Sequence, residues 1–201
     1  MDQRTEEWYC ARLGKVTASR IADVMAKTKS GYGASRKNYM AELVIERLTG
    51  KPTDGFSSAA MQWGTETEPY ALEAYEIATG TIVEPVGFID GIEPMTGASP
   101  DGLIGDDGLI EVKCPNSSTH IETLLSKTTP KKYVYQMQWQ MACTDRVWCD
   151  FVSYDPRMPD NLKYFCKRVD RDQEQIDEII AEVRIFLADL DSQVKQLKEV
   201  A

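Results

Sequence analysis

The 201-residue chain predicts an α+β domain, with a central mixed β-sheet flanked by helices in an α/β/α-like arrangement. Three observations point there. Two helical segments stop at glycines, Gly50 and Gly80. Short apolar strands between 96 and 114 meet at an Asp-Gly turn. A helical stretch then separates that hairpin from two further alternating strands, 147–154 and 162–170.

The elements follow in order. Residues 17–27, TASRIADVMAK, predict a short helix capped by Thr17 or Ser19. Residues 27–38, KTKSGYGASRKN, read as a Gly/Ser-rich basic loop. Ser35 is expected to cap a helix that runs to Thr49, with Gly50 as its stop. A long helix is expected over 59–79, ending at Gly80. TIVEPVGFID, 81–90, alternates like a strand. Strands near 96–104 and 108–114 flank Gly105-Asp106-Asp107-Gly108, a strong hairpin signal. A helix is expected over about 130–143. From Asp172 to about 199 a C-terminal helix carries Ile176, Ile179, Val183, Phe186, Leu187 and Leu190 on one stripe, the pattern of core packing.

Composition bounds the function. A 42% hydrophobic and 27% charged chain of this length suits one soluble domain spanning 1–201. No run of about 18 apolar residues exists, and the N-terminus MDQRTEEWYC is polar, so a cytoplasmic protein with no membrane partner is expected. The five cysteines are scattered without a CxxC, as for reduced thiols. The single histidine, His120 in NSSTHIE, is expected at the surface or at a helix start. It gives no basis for a His-rich zinc site or a Ser-His-Asp triad. No GxxxxGK[ST] loop is present, so no nucleotide cofactor is expected.

The net charge of −9 is unevenly spread. Residues 1–51 carry ten Lys/Arg against six acids, and 113–169 carry nine against five. Between them, 52–112 hold twelve acids and no Lys or Arg. An acidic middle suits a hard cation, and basic flanks suit a phosphate backbone.

The chemistry concentrates in Ser99-Pro100-Asp101-Gly102 and Ile110-Glu111-Val112-Lys113. Glu111 and Lys113, two apart on a strand, share a face, while Ile110 and Val112 face the core. Phosphodiester hydrolysis needs charge neutralisation and an activated water. Asp101, Glu111 and the Val112 carbonyl offer the oxygen donors that Mg2+ prefers, with Mn2+ as a substitute. Lys113 is then placed to orient the water and stabilise the transition state. Pro-Asp with Glu-x-Lys is a weak signal by itself, and its context strengthens it. Glu68, in WGTETEP, offers another acid. Tyr133, Gln136 and Gln140 share one helix face, from which Gln136 can donate to a phosphate.

Taken together, WYCARLGKVTAS (8–19), QWGTETEP (62–69), ASPDGLIGDDGLIEVKCP (98–115), YVYQMQWQM (133–141) and SYDPRM (153–158) resemble the phage lambda exonuclease and YqaJ-type viral alkaline exonuclease family, within the PD-(D/E)xK nucleases. The resemblance implies a restriction-endonuclease-like core. It implies metal ligation by Asp101, Glu111, Val112 and Glu68, with Lys113 catalytic. It implies a grip on a terminal 5′-phosphate by Arg12, Ser19, Ser99 and Gln136. An arginine with small hydroxyl donors is what a phosphate needs. It further implies 5′→3′ digestion of double-stranded DNA to mononucleotides, a homotrimeric ring, a single-strand annealing partner and a phage or prophage origin. Val112 stands where the family motif carries leucine, a change that a backbone ligand tolerates. The basic loop departs in detail, and DNA contact there is assigned to Lys27 and Lys29, with Arg36 and Lys37 beside them. The alternatives are an endonuclease on the same core, which needs no end-phosphate pocket, and a silent DNA-binding module, which needs no intact Asp101, Glu111 and Lys113.

Overall fold

The computed structural model describes residues 2–53 and 58–200. The N-terminal third runs α1 (Glu6–Arg12), β1 (Val16–Thr17), a 3-10 turn (Ala18–Arg20), α2 (Ile21–Val24), β2 (Lys27–Thr28), β3 (Gly31–Tyr32) and α3 (Ala34–Thr49). Next come α4 (Ala59–Thr79), β4 (Ile89–Asp90), β5 (Thr96–Ala98), β6 (Gly102–Ile104) and β7 (Gly108–Lys113). The chain continues through α5 (Ser117–Ser126), α6 (Lys131–Thr144), β8 (Trp148–Tyr154), β9 (Tyr164–Asp170) and α7 (Gln173–Val200).

The main sheet has the order β6-β7-β8-β9. Its central pair, β7 and β8, is parallel, and both outer pairings are antiparallel, so the sheet is mixed as expected. A parallel pair is normally covered on both faces. Here Ile110, Val112 and Val152 pack on Ala71 and Tyr75 of α4. On the other face Leu109, Cys149 and Phe151 pack on Met137 and Met141 of α6. Strand alternation therefore turns Glu111 and Lys113 toward α6.

A second core joins α2, α3, α6 and α7 through Ile21, Val24, Tyr39, Leu43, Trp139, Ile179, Val183 and Phe186. The C-terminal stripe is thus core packing. Gly50 and Gly80 end α3 and α4 in the left-handed region, at φ 67° and 69°.

Several elements differ from expectation. Residues 17–27 do not form one helix. The β-branched Val16 and Thr17 are drawn into parallel pairing with β5 (Val16 opposite Thr96), and the helix shrinks to Ile21–Val24. Residues 27–38 are not one loop: β2 and β3 form a hairpin, and α3 starts at Ala34 with Gly33, not Ser35, as its N-cap. In 81–90 only Ile89–Asp90 is strand, beside a lone bridge between Glu84 and Leu103. Pro85 lacks the N–H that a continuous ladder would use. The strand expected over 96–104 is two, in different sheets. The turn Ser99-Pro100-Asp101 carries the chain from the small β1-β5-β4 sheet to the main one.

Candidate active site

Glu111 has no solvent exposure, and its carboxylate is held from three directions. Gln136 Nε2 donates to Oε1 at 2.6 Å and Gln140 Nε2 to Oε2 at 2.6 Å. The Lys113 ammonium pairs with Oε1. The glutamines lie four apart on α6, so both amides reach one point. A buried carboxylate without such partners would be strongly destabilising. Gln136, expected beside the terminal phosphate, is thus placed on Glu111. Gln140, not singled out as a site residue, is its equal partner, and its i, i+4 spacing from Gln136 was the available signal.

Asp101 immediately precedes β6, and its Oδ2 accepts the Val112 N–H at 2.6 Å. Burial, with repulsion from Glu111, pushes its carboxyl well above the ordinary range. For Lys113, burial works against the charge. Attraction from Glu111 and Asp101 outweighs it, so the ammonium holds its proton far above neutrality. Its Nζ also lies 5.2 Å from the Tyr133 ring centroid. Lys113 is therefore a charged hydrogen-bond donor to its neighbours. Burial pushes the adjacent Cys114 thiol up to about 12, which removes it as a nucleophile at neutral pH.

Two carboxylates forced together against their mutual repulsion suit a divalent cation. The Val112 carbonyl projects to the same strand edge as the N–H that reaches Asp101, adding a third oxygen. This oxygen set fits Mg2+, which takes one or two protein carboxylates and keeps several waters. Among the described residues no three His, Cys, Asp or Glu side chains gather as a metal-holding group. Glu68, the expected third acid, lies close enough for its charge to act on Asp101, but its Oε2 is paired with Arg4 Nη2 at 2.5 Å.

Arg12 and Ser19 line a cavity of about 890 Å³, together with Trp8, Lys15 and Tyr39. Arg12 Nη1 donates to Ser99 Oγ at 3.3 Å, and Trp8 Nε1 donates to the same oxygen at 2.9 Å. The guanidinium lies 4.1 Å from the Trp8 ring centroid. Burial lowers the Arg12 pKa, and among the described residues no carboxylate pairs with it. A half-buried guanidinium without a paired carboxylate is chemically suited to an anionic ligand. Ser19 is exposed, 3.4 Å from Thr17 Oγ1. Trp8 belongs to α1, a helix not anticipated. Its signal was Thr5, whose hydroxyl caps Trp8 N, followed by acids at Glu6 and Glu7.

The basic loop is less free than expected. Lys27 pairs with Glu182 of α7 at 2.5 Å, while Lys29 is exposed near the hairpin tip. Arg36 is buried, donates to the Val24 carbonyl and stacks 3.8 Å from the Tyr32 ring centroid, so it serves packing instead of facing DNA. His120 stands in the first turn of α5, as expected, but not at the surface. It is fully buried, with Nδ1 2.8 Å from Ser153 Oγ and Nε2 2.8 Å from the Leu162 carbonyl. The buried side of the short helix α5 carries His120 and Thr123, and the Ser153 and Leu162 partners make the burial of the imidazole tolerable.

Beyond β8, Asp155 is fully buried. It accepts from Ser117 Oγ at 2.6 Å and from Arg157 Nε at 2.7 Å. Arg157 in turn donates to the Pro115 carbonyl at 3.1 Å, fastening the chain just past Lys113.

A mixed sheet covered by helices, with a Pro-Asp and Glu-x-Lys hairpin at its edge, is the restriction-endonuclease-like fold of the alkaline exonucleases. The chain belongs to the family of the YqaJ-like viral recombinase domain, whose profile matches residues 7–147. It is similar to the alkaline exonuclease LHK-Exo from Laribacter hongkongensis, with 58% identity over 97% of each chain and a TM-score of 0.91. The same values hold for LHK-Exo in complex with dAMP. A phage-related exonuclease from Haemophilus somnus 129PT shares the fold, at 18% identity over 91% of this chain and 96% of that one, with a TM-score of 0.75. No curated protein sequence matches. No described helix is long and apolar enough to cross a membrane.

Proposed function

We propose that the protein is a Mg2+-dependent 5′→3′ exonuclease on double-stranded DNA, releasing mononucleotides from 5′-phosphorylated ends. The observation that carries this reading is the turn Ser99-Pro100-Asp101. One end of it touches Arg12 in the cavity, and the other enters the carboxylate pair. Two residues span at most about 7 Å. A terminal phosphate seated on Arg12 and Ser99 would thus leave the next phosphodiester near Asp101 and Glu111. The similarity to LHK-Exo, solved with a deoxynucleoside monophosphate, supports the same reading.

In this mechanism Arg12 and Ser99 bind the end, and Trp8 holds the guanidinium in place. Asp101 and Glu111 carry the negative charge that attracts the cation, and Gln136 and Gln140 orient Glu111. Lys113, protonated, donates to the attacking water or to a non-bridging phosphate oxygen. A magnesium ion bound there supplies charge neutralisation at phosphorus and an activated water. The family resemblance extends the reading to a homotrimeric ring, measurable as molar mass in solution, and to a single-strand annealing protein that receives the 3′ strand.

The test is digestion of a linear duplex carrying 5′-phosphate on one strand, with Mg2+ and without ATP. Loss of that strand from its 5′ end as mononucleotides, with its partner intact, is the expected result. Internal nicks regardless of end chemistry would make the protein an endonuclease.

A further inference from the structure

The N-terminal segment makes contacts that the mechanism above does not use. Gln3 Nε2 bridges two carbonyls, Val86 at 2.9 Å and Pro100 at 2.7 Å, the second belonging to the residue before Asp101. Thr5 caps α1 on the other side. Between these anchors Arg4 is held at φ 67°, a left-handed conformation that a residue with a side chain adopts at a cost. The backbone thereby aims Arg4 at Glu68. An exposed ion pair of this kind contributes little stability, so the pair alone does not account for a strained, doubly anchored residue.

Arg4 also lines the cavity that holds Arg12. The other cations of that wall are differently committed. Arg20 is held by Asp23 and Glu42, and Lys15 by Asp90. Arg4 spends one nitrogen on Glu68, and its Nε and Nη1 donate to nothing among the described residues. It lies outside residues 7–147, the stretch matched by the family profile.

We propose that Arg4 is a second DNA-phosphate ligand of the cavity, shared between Glu68 and the incoming strand. The proposal rests on the end-binding reading above. Glu68 holds the guanidinium by one nitrogen, and a phosphate entering beside Arg12 competes with it for Arg4.

The test measures binding of a duplex with one accessible end, bearing 5′-phosphate or 5′-hydroxyl, by fluorescence anisotropy across a salt series. It uses the full chain with Mg2+ in a Lys113→Ala background, so that cleavage does not intrude. Arg4→Gln is expected to weaken binding of the phosphorylated end about ten-fold and to reduce the salt slope by about one. Arg4→Lys should restore the slope. Glu68→Gln should tighten the same binding, because it frees Arg4. If Arg4 merely fastens α1 through Glu68, Arg4→Gln and Glu68→Gln will weaken binding alike, and the proposal fails. It also fails if Arg4→Gln matches its parent while the parent still prefers the phosphorylated end. A parent without that preference overturns the end-binding reading itself, and the Arg4 assignment with it.

Discussion

Gln140 donates to Oε2 of Glu111 at 2.6 Å, on the opposite oxygen from the one held by Gln136. Gln140→Ala would leave one side of a fully buried carboxylate unsatisfied, with an expected loss of about 1–3 kcal/mol in stability. Cleavage should fall by about ten- to a hundred-fold, as for groups that orient a metal-binding carboxylate. Thermal denaturation and single-turnover digestion read the two effects. Unchanged turnover would show that Gln136 alone positions Glu111.

Asp101→Asn should abolish cleavage and raise thermal stability in EDTA. The folded-state pKa of Asp101 lies above its unfolded value, because of burial and Glu111. The ionised form therefore destabilises the fold increasingly as pH rises through that range. Asparagine keeps an acceptor for the Val112 N–H and removes the charge. In a domain of this size each 1 kcal/mol gained moves the melting temperature by about 2–4 °C. A lower melting temperature for the variant would contradict the repulsion inferred here.

Arg12→Ala should slow initiation at 5′-phosphorylated ends by about ten-fold or more, since a charge-assisted contact is lost. Ends with 5′-hydroxyl should be nearly unaffected. Rapid-quench initiation rates on the two substrates separate the cases. Equal slowing on both would remove Arg12 from phosphate recognition.

Asp155 sets an acid limit. Burial alone would raise its carboxyl, but hydrogen bonds from Arg157 and Ser117 prevail and hold it at about 2. A depressed folded pKa contributes stability that is complete above the unfolded value and lost as pH falls from about 4 to 2. The shift corresponds to roughly 2 kcal/mol. Chemical denaturation should show the gap between wild type and Asp155→Asn closing across that window. A gap independent of pH would assign the loss to packing.

The legible parts of the chain were those in which local signals agreed with tertiary demand. Gly50 and Gly80 ended their helices, the Asp-Gly turn made its hairpin, and alternation put Glu111 and Lys113 on one face. The failures share a cause. Thr17 precedes only a 3-10 turn, without a side-chain cap bond, and pairs as strand, because β5 supplies a partner from 80 residues away. Arg36 was expected in DNA contact and His120 at the surface or a helix start, yet carbonyl and hydroxyl partners outside their own elements make burial of both tolerable. Arg4 and Glu68 are 64 residues apart, and no spacing rule links them.

The parallel pairing of β7 with β8 has a kinetic consequence. The hairpin of β6 and β7 closes locally, but the amides of Gln136 and Gln140 arrive on the crossover through residues 114–147. Non-local closure of that kind is slow relative to hairpin formation. Until α6 docks, Glu111 is a charge facing an unfinished apolar surface, and the cutting centre does not yet exist. A nascent chain still emerging from the ribosome thus carries the catalytic sequence without the catalytic geometry, and its reactivity toward nucleic acid waits for the domain to close.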